Sequence, residues 1–359
     1  MATIGGASGF GGGQANPSIA VTIQDNASFS LGINGLDLNA STAATNQTTV
    51  NLNGGSLTTG AFFKTSVGAT QLSTLNFNGG VLRAGASSAS FLPALSGLSA
   101  NVQAGGAKFD SSGLDIAVEQ ALAHDATLGA TPDGGLTKQG TGSLTLAGTH
   151  TYTGPTTISN GTLIIAGTLE GTTGTTVQNG ATLKGSGSLS GFTTVASGGR
   201  LEPGNSTGIE TFSGGLMHAT GSAFAWELMA NSNATPGTEF DEALVTGGNL
   251  TIQGGVMLEL VFNSAGSTVN WSDSFWNSGH TWTLVDYSGA GTSLGAFELL
   301  TPGVDSLAQA LASIRASATF STANIGGDVI LTYSVPEPAI GAALMAGLGA
   351  LTGLRRRRE

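Results

Sequence analysis

Charged residues make up 9% of the 359-residue chain, so any chemistry must come from a short set of side chains. Glu239, Asp241 and Glu242 form the densest acidic group, within Thr-Pro-Gly-Thr-Glu239-Phe-Asp241-Glu242. Clustered carboxylates could hold Ca²⁺. The spacing lacks both the Asp-x-Asp-x-Asp-Gly loop and the Gly-Gly-x-Gly-x-Asp nonapeptide, so a solvated loop is the simpler expectation. Glu170 and Glu202 are the two acids between Gly134 and Gly204, and neither stands at a coil-repeated offset from another ionisable side chain. Cleaving a polysaccharide needs an acid and a base on neighbouring turns, so no catalytic residue is expected in that stretch. His124, His150, His218 and His280 share no ligand spacing and read as surface or strand-edge residues. Cysteine is absent, which removes thiolate zinc sites and thiol catalysis; neither metal nor cofactor is expected. Trp271, Phe275, Trp276 and Trp282 could stack on sugar rings or form the core of a cap.

The elements that must position these residues are short strands. Glycine numbers 58, Thr, Ser and Asn fill most other polar positions, and 40% of residues are hydrophobic. Such polarity without charge suits pleated strands and positive-φ turns and disfavours helices. The hydrophobic share excludes a disordered chain. Ile19 to Ile23, Phe29 to Ile33 and Val50 to Leu52 alternate apolar and polar residues between Gly, Asn and Asp, as strands joined by turns do. Leu114 to Leu122 also reads as strand, although part of it would serve a helix.

Small phrases repeat. Asn160-Gly161-Thr-Leu163, Asn179-Gly180-Ala-Thr-Leu183 and Gly198-Gly199-Arg-Leu201 place Gly161, Gly180 and Gly199 at a spacing of 19. Upstream, Gly55, Gly80 and Gly106 stand 25 and 26 apart. A period of about 20 residues is the mark of stacked coils that share one core. The expected fold is an all-β solenoid of four parts: N-terminal coils over 1–133, the clearest repeat and following coils over 134–204, terminal coils and a cap over 205–334, and a tail over 335–359. Inside the cap, 306–316 is expected to make one short helix with Leu307, Leu311 and Ile314 on one face.

Four phrases resemble the autotransporter-associated β-strand repeat: Gly134-Gly-Leu-Thr-Lys138, Gly142-Ser-Leu-Thr-Leu146, Tyr152-Thr-Gly154 and Asn160-Gly-Thr-Leu163. The resemblance covers Gly134 to Gly167, and the chain from there to Gly204 is similar to the passenger-type coils that accompany such repeats. It implies a right-handed parallel β-helix on an exported surface protein.

The tail differs in kind. Pro336-Glu337-Pro338 precedes an uncharged apolar run, Ala339 to Leu354, and then come Arg355, Arg356, Arg357 and Arg358. As a helix the run is roughly 24 Å long, slightly short of the ~30 Å hydrocarbon layer. Four arginines against it would hold that end on the cytoplasmic side, as a membrane stop. The order resembles the PEP-CTERM sorting signal. That resemblance implies that Pro336, Glu337 and Pro338 are read by an exosortase at the envelope of an exopolysaccharide-making bacterium. Met1 to Gly13 shows neither a basic start nor an apolar run, so export calls for a leader ahead of this sequence.

The formal net charge is −11; leaving out 335–359, with four Arg and two Glu, the body holds 7 Lys or Arg against 20 Asp or Glu. An acidic body has no footprint for nucleic acid. The reading is a non-enzymatic cell-surface spacer or adhesin, associated with exopolysaccharide and transiently anchored through 339–354. The alternative is a β-helical polysaccharide lyase or hydrolase carried by the same tail, or a carbohydrate-binding cap.

Overall fold

The structure is a computed structural model that describes residues 8–9, 18–39, 47–65, 70–289 and 291–336. Three short strands make one coil. Leu136–Gln139, Ser143–Leu146 and Thr149–His150 are followed by Thr156–Ile158, Gly161–Ile165 and Thr168–Leu169, each strand lying parallel on its counterpart. Repetition builds three parallel walls, an all-β architecture consistent with the expected β-helix. The segment that read as strand from Leu114 onward forms Ile116–Val118, and Leu122–His124 follows it.

Alternation decides which side chains enter the core. The second wall stacks Ile116, Leu144, Leu163, Leu183, Leu201, Phe224, Leu258 and Leu299 on successive coils. The third wall stacks His150, Leu169, Leu189, Phe212, Val245 and Tyr287. The first wall runs Phe109, Lys138, Ile158, Val177, Val195, His218 and Ile252. Two of its rungs are ionisable, a departure from simple apolar stacking. Each fully buried Leu, Val or Ile rung contributes roughly 1.5–3 kcal/mol relative to exposure.

The even spacing of 19 is an average over unequal coils. Register sets Ala181 opposite Gly161, and Arg200 opposite Thr182. Gly161, Gly180 and Gly199 are therefore not one ladder. The turns instead place Gly161, Gly180 and Gly198 at φ of 68°, 76° and 74°, where a Cβ would be strained.

The third wall continues toward the N-terminus through a bridge between Ala123 and Thr151. On the outer side of this continuation Asn51, Asn76 and Asn101 line up, Asn76 donating to Asn51 Oδ1 at 2.8 Å and Asn101 to Asn76 Oδ1 at 3.0 Å. Thr137, Thr157, Thr176 and Thr194 form a matching row on the first wall. Both rows are outer ladders of like side chains on successive coils.

At the C-terminal end the third wall changes direction. The hairpin Thr319–Ile325 and Asp328–Ser334 pairs antiparallel with itself and with His280–Tyr287, turning on Gly326 and Gly327 at positive φ. The expected helix 306–316 shrinks to Leu311–Ile314; Leu311 is buried, whereas Leu307 is 59% exposed. Asp305 explains the break: its Oδ1 accepts from the backbone N–H of Leu307 and Gln309, holding that segment as a loop.

Candidate functional site

The conspicuous residues of the 134–204 stretch are used to build corners. Lys138 is wholly buried on an inward rung, and its Nζ donates to the carbonyls of Gln139, Gly140 and Asn160 at 3.1, 2.8 and 3.1 Å. Burial lowers its pKa to about 8, against the pull of Asp110 and Asp115. It closes the first turn of the repeat onto the next coil's Asn160-Gly161 turn. Asp133 performs the same task at the other corner. It accepts from the backbone N–H of Gly135, Thr153 and Gly154 at 2.9, 2.7 and 2.9 Å, and it meets His124 Nδ1 at 2.9 Å. Burial pushes this carboxyl up, but those donors hold it below its ordinary value. Tyr152 is buried beside it, with its hydroxyl 2.6 Å from Thr156 Oγ1.

His124, Asp133 and Thr153 bring the residue types of a hydrolytic triad together in the wrong arrangement. Asp133 and the Thr153 hydroxyl both sit on Nδ1, and Nε2 faces the Gly129 carbonyl at 3.1 Å. A relay needs carboxylate and nucleophile on opposite ring nitrogens. This group is a clamp, and the Asp133 hydrogen bond raises the His124 pKa.

Glu170 is exposed, as expected of a solvated charge. Glu202 corrects the sequence reading, because register sets it directly opposite Lys184 on the neighbouring coil. It pairs with Lys184 and, at 3.2 Å, with Arg200 Nε, while Arg200 also pairs with Glu259. Lys184 and Glu202 stand 18 positions apart, an offset that a period of 19 does not reveal. Burial pushes Glu202 up, but Lys184 and Arg200 outweigh it and hold the carboxyl low. All four charges neutralise one another on the outer face of the second wall, leaving no unpaired acid-base couple among them.

The acidic group at 239–242 splits. Glu239 accepts from Ser232 Oγ at 2.6 Å and from Thr235 N–H at 3.0 Å, and the Ser232 bond lowers its pKa. Asp241 and Glu242 are buried, not solvated. Asp241 Oδ1 accepts from Gly208 N–H and Oδ2 from Glu227 N–H, both at 2.9 Å. Burial nevertheless raises it to about 8, and raises Glu242 to about 7. The solvated-loop expectation fails because Asp241 is tied to the backbone of Gly208 and Glu227, and Glu242 is taken into strand Glu242–Val245, paired with Ile209–Phe212. Glu210, absent from the sequence reading, is also fully buried, with neither carboxyl oxygen hydrogen-bonded. Its alternation with Phe212 in Ile-Glu-Thr-Phe was the available signal.

His150 and His218 are likewise core rungs rather than edge residues, with burial lowering them to about 4 and about 3. His280 lies part-exposed with its ring stacked on Phe275 at 3.7 Å. Trp271, Trp276 and Trp282 are buried among Phe262, Phe320 and Tyr333, so they form the core of the cap and offer no face to a sugar.

Among the described residues no group of acids and histidines could hold a metal ion, and no helix is long and apolar enough to cross a membrane. Pro336 is exposed, two residues past the last strand Asp328–Ser334. Glu337, Pro338, the expected 339–354 helix and Arg355 to Arg358 lie outside the described residues.

No curated protein matches this chain. Residues 136–165 match the family model of the Passenger-associated-transport-repeat. The match begins two residues before Lys138 and ends at Ile165, the last rung of Gly161–Ile165. Over those residues the chain is similar to the autotransporter-associated repeat, which suggests an exported surface protein.

Proposed function

We propose that this protein is a non-enzymatic surface spacer or adhesin with right-handed coils, delivered by its tail and associated with exopolysaccharide. The hand is the one parallel crossovers take in about 98% of cases. The observation that carries the reading is the use of ionisable groups: Lys138, Glu202 and Arg200 of the repeat region, and Asp133 at its edge, all make contacts between coils. Apart from the exposed Glu170, the charges named here are already paired, and a paired charge is a poor reagent for a substrate. The matched repeat supports an exported setting. Pro336, Glu337 and Pro338 would be read by an exosortase-type enzyme, the 339–354 helix would hold the chain briefly in the inner membrane, and Arg355 to Arg358 would stay cytoplasmic.

Two measurements test this. Expression behind a secretory leader, followed by mass measurement of the surface-exposed protein, should find the C-terminus without Arg355 to Arg358; an intact terminus contradicts processing. The purified body should release no new reducing or unsaturated ends from neutral or acidic exopolysaccharide. Cleavage that disappears in Glu239→Gln or Glu202→Gln would instead establish the lyase or hydrolase.

A further inference from the structure

The coil that joins the even repeat stack to the long-looped cap carries carboxyls in its interior with no cation beside them. Glu210 enters the core from Ile209–Phe212, opposite Ala243 of the next coil. Its strand neighbour on the previous coil is Gly187, whose carbonyl accepts from Thr211 N–H at 2.9 Å. Small residues on both sides give the glutamate its room, but neither offers a side-chain donor. Asp241 closes the same coil from outside the strand: its carboxyl holds Gly208 and Glu227, and its backbone carbonyl accepts from Trp226 Nε1 at 2.7 Å.

The surroundings share one sign. Asp241 is the charged neighbour of Glu210, and Glu227 and Glu202 act on Asp241 from the second wall. Asp286 and Asp328 act on Glu242 from the third wall and the hairpin. The first wall contributes His218, packed against Phe224 and Phe297 and held neutral by burial. Lys184 and Arg200 are engaged by Glu202 and Glu259. Asp241 has backbone donors on both oxygens, whereas Glu210 has none. A buried carboxylate without a cation or donor cannot stay ionised in place, so Glu210 must keep its proton or admit water.

We infer that the coil from Gly208 to Val245 is a pH-released joint, closed while Glu210 keeps its proton and opened, with exposure of Trp226, when Glu210 gives that proton to solvent beside Asp241. The proton released favours the open form by about tenfold per pH unit once ionisation is under way. Opening would break the third-wall pairing of Ile209–Phe212 with Ser188–Leu189 and with Glu242–Val245, while Gly161–Ile165 keeps its pairing with Ala181–Gly185 and the terminal hairpin keeps its own.

The test is hydrogen–deuterium exchange on the full chain between pH 5 and 10, corrected for intrinsic rates. Amides of Ile209–Phe212 and Glu242–Val245 should lose at least about tenfold in protection between pH 6 and 9. Those of Ser143–Leu146 and Gly161–Ile165 should keep theirs. Glu210→Gln, which cannot ionise and removes no hydrogen bond, should stay closed at pH 9. Equal protection at pH 6 and 9 in the natural chain, or equal loss in the variant, overturns the joint. Should Glu210→Gln not fold, Glu210→Met, apolar and of similar length, must likewise keep its protection at pH 9, and its failure to do so overturns the inference equally.

Discussion

At the scale of single residues, Lys138, Asp133 and Glu202 are engaged in holding coils together, and the reason is geometric. A coil turn leaves carbonyls pointing into the core, where an unpaired acceptor costs about 1–3 kcal/mol. Lys138 answers three of them with one ammonium. Lys138→Met keeps the length and apolar stem but leaves those carbonyls unsatisfied. We expect it to destabilise the body by about 2–4 kcal/mol in urea unfolding, more than a surface Lys108→Met. A loss under about 1 kcal/mol would mean that water or backbone adjustment satisfies the turn. The sequence did contain the signal for Lys138: it stands two residues after Leu136 in an alternating strand and so faces inward with it.

At the scale of elements, the walls are held by ladders whose rungs come from different coils. Asn76 donates to Asn51 and accepts from Asn101, so it is the middle of a three-residue amide chain. Asn76→Ala removes two hydrogen bonds on a partly exposed face and should cost about 1–2 kcal/mol. Asn51→Ala, which loses the Asn76 bond and the Thr22 contact at 3.2 Å, should cost no more than that. The two changes should also be non-additive, since each leaves the other's partner idle; simple additivity in a double-mutant cycle would show that the row contributes no coupling. Strand type and facing were legible from alternation, as in Ser143–Leu146. The pairing of Lys184 with Glu202 was not, because a slightly shorter coil shifts which side chains meet.

At the scale of the whole molecule, buried ionisable rungs make stability depend on pH. His150 and His218 are lowered by burial to about 4 and about 3, so each binds fewer protons folded than unfolded. Their contribution is fully present above the ordinary histidine value near 6.5 and is lost as pH falls through those lowered values. Each adds about 1.4 kcal/mol of stability change per pH unit within its window. Replacing His218 with Leu, similar in volume, removes one of these slopes. The variant should lose about 1 kcal/mol at pH 7, since Ser222 Oγ no longer has its ring partner at 3.1 Å, yet fall less steeply in melting temperature between pH 6 and 4. Parallel acid limbs for the two proteins would show that His218 is not held neutral.

The sequence by itself determined the approximate period, the strands, the turn glycines and the near absence of helix, because each is a local matter of alternation, β-propensity and positive φ. It also singled out one stretch, 136–165, closely enough to match a known repeat. Only the tertiary structure decided which polar residues are inside. Facing depends on alternation, but burial and partnership depend on the neighbouring coil, and coils of unequal length bring together side chains that no constant period aligns. Thus Glu202, read as solitary, lies beside Lys184, and Asp241, read as solvated, is buried under Trp226.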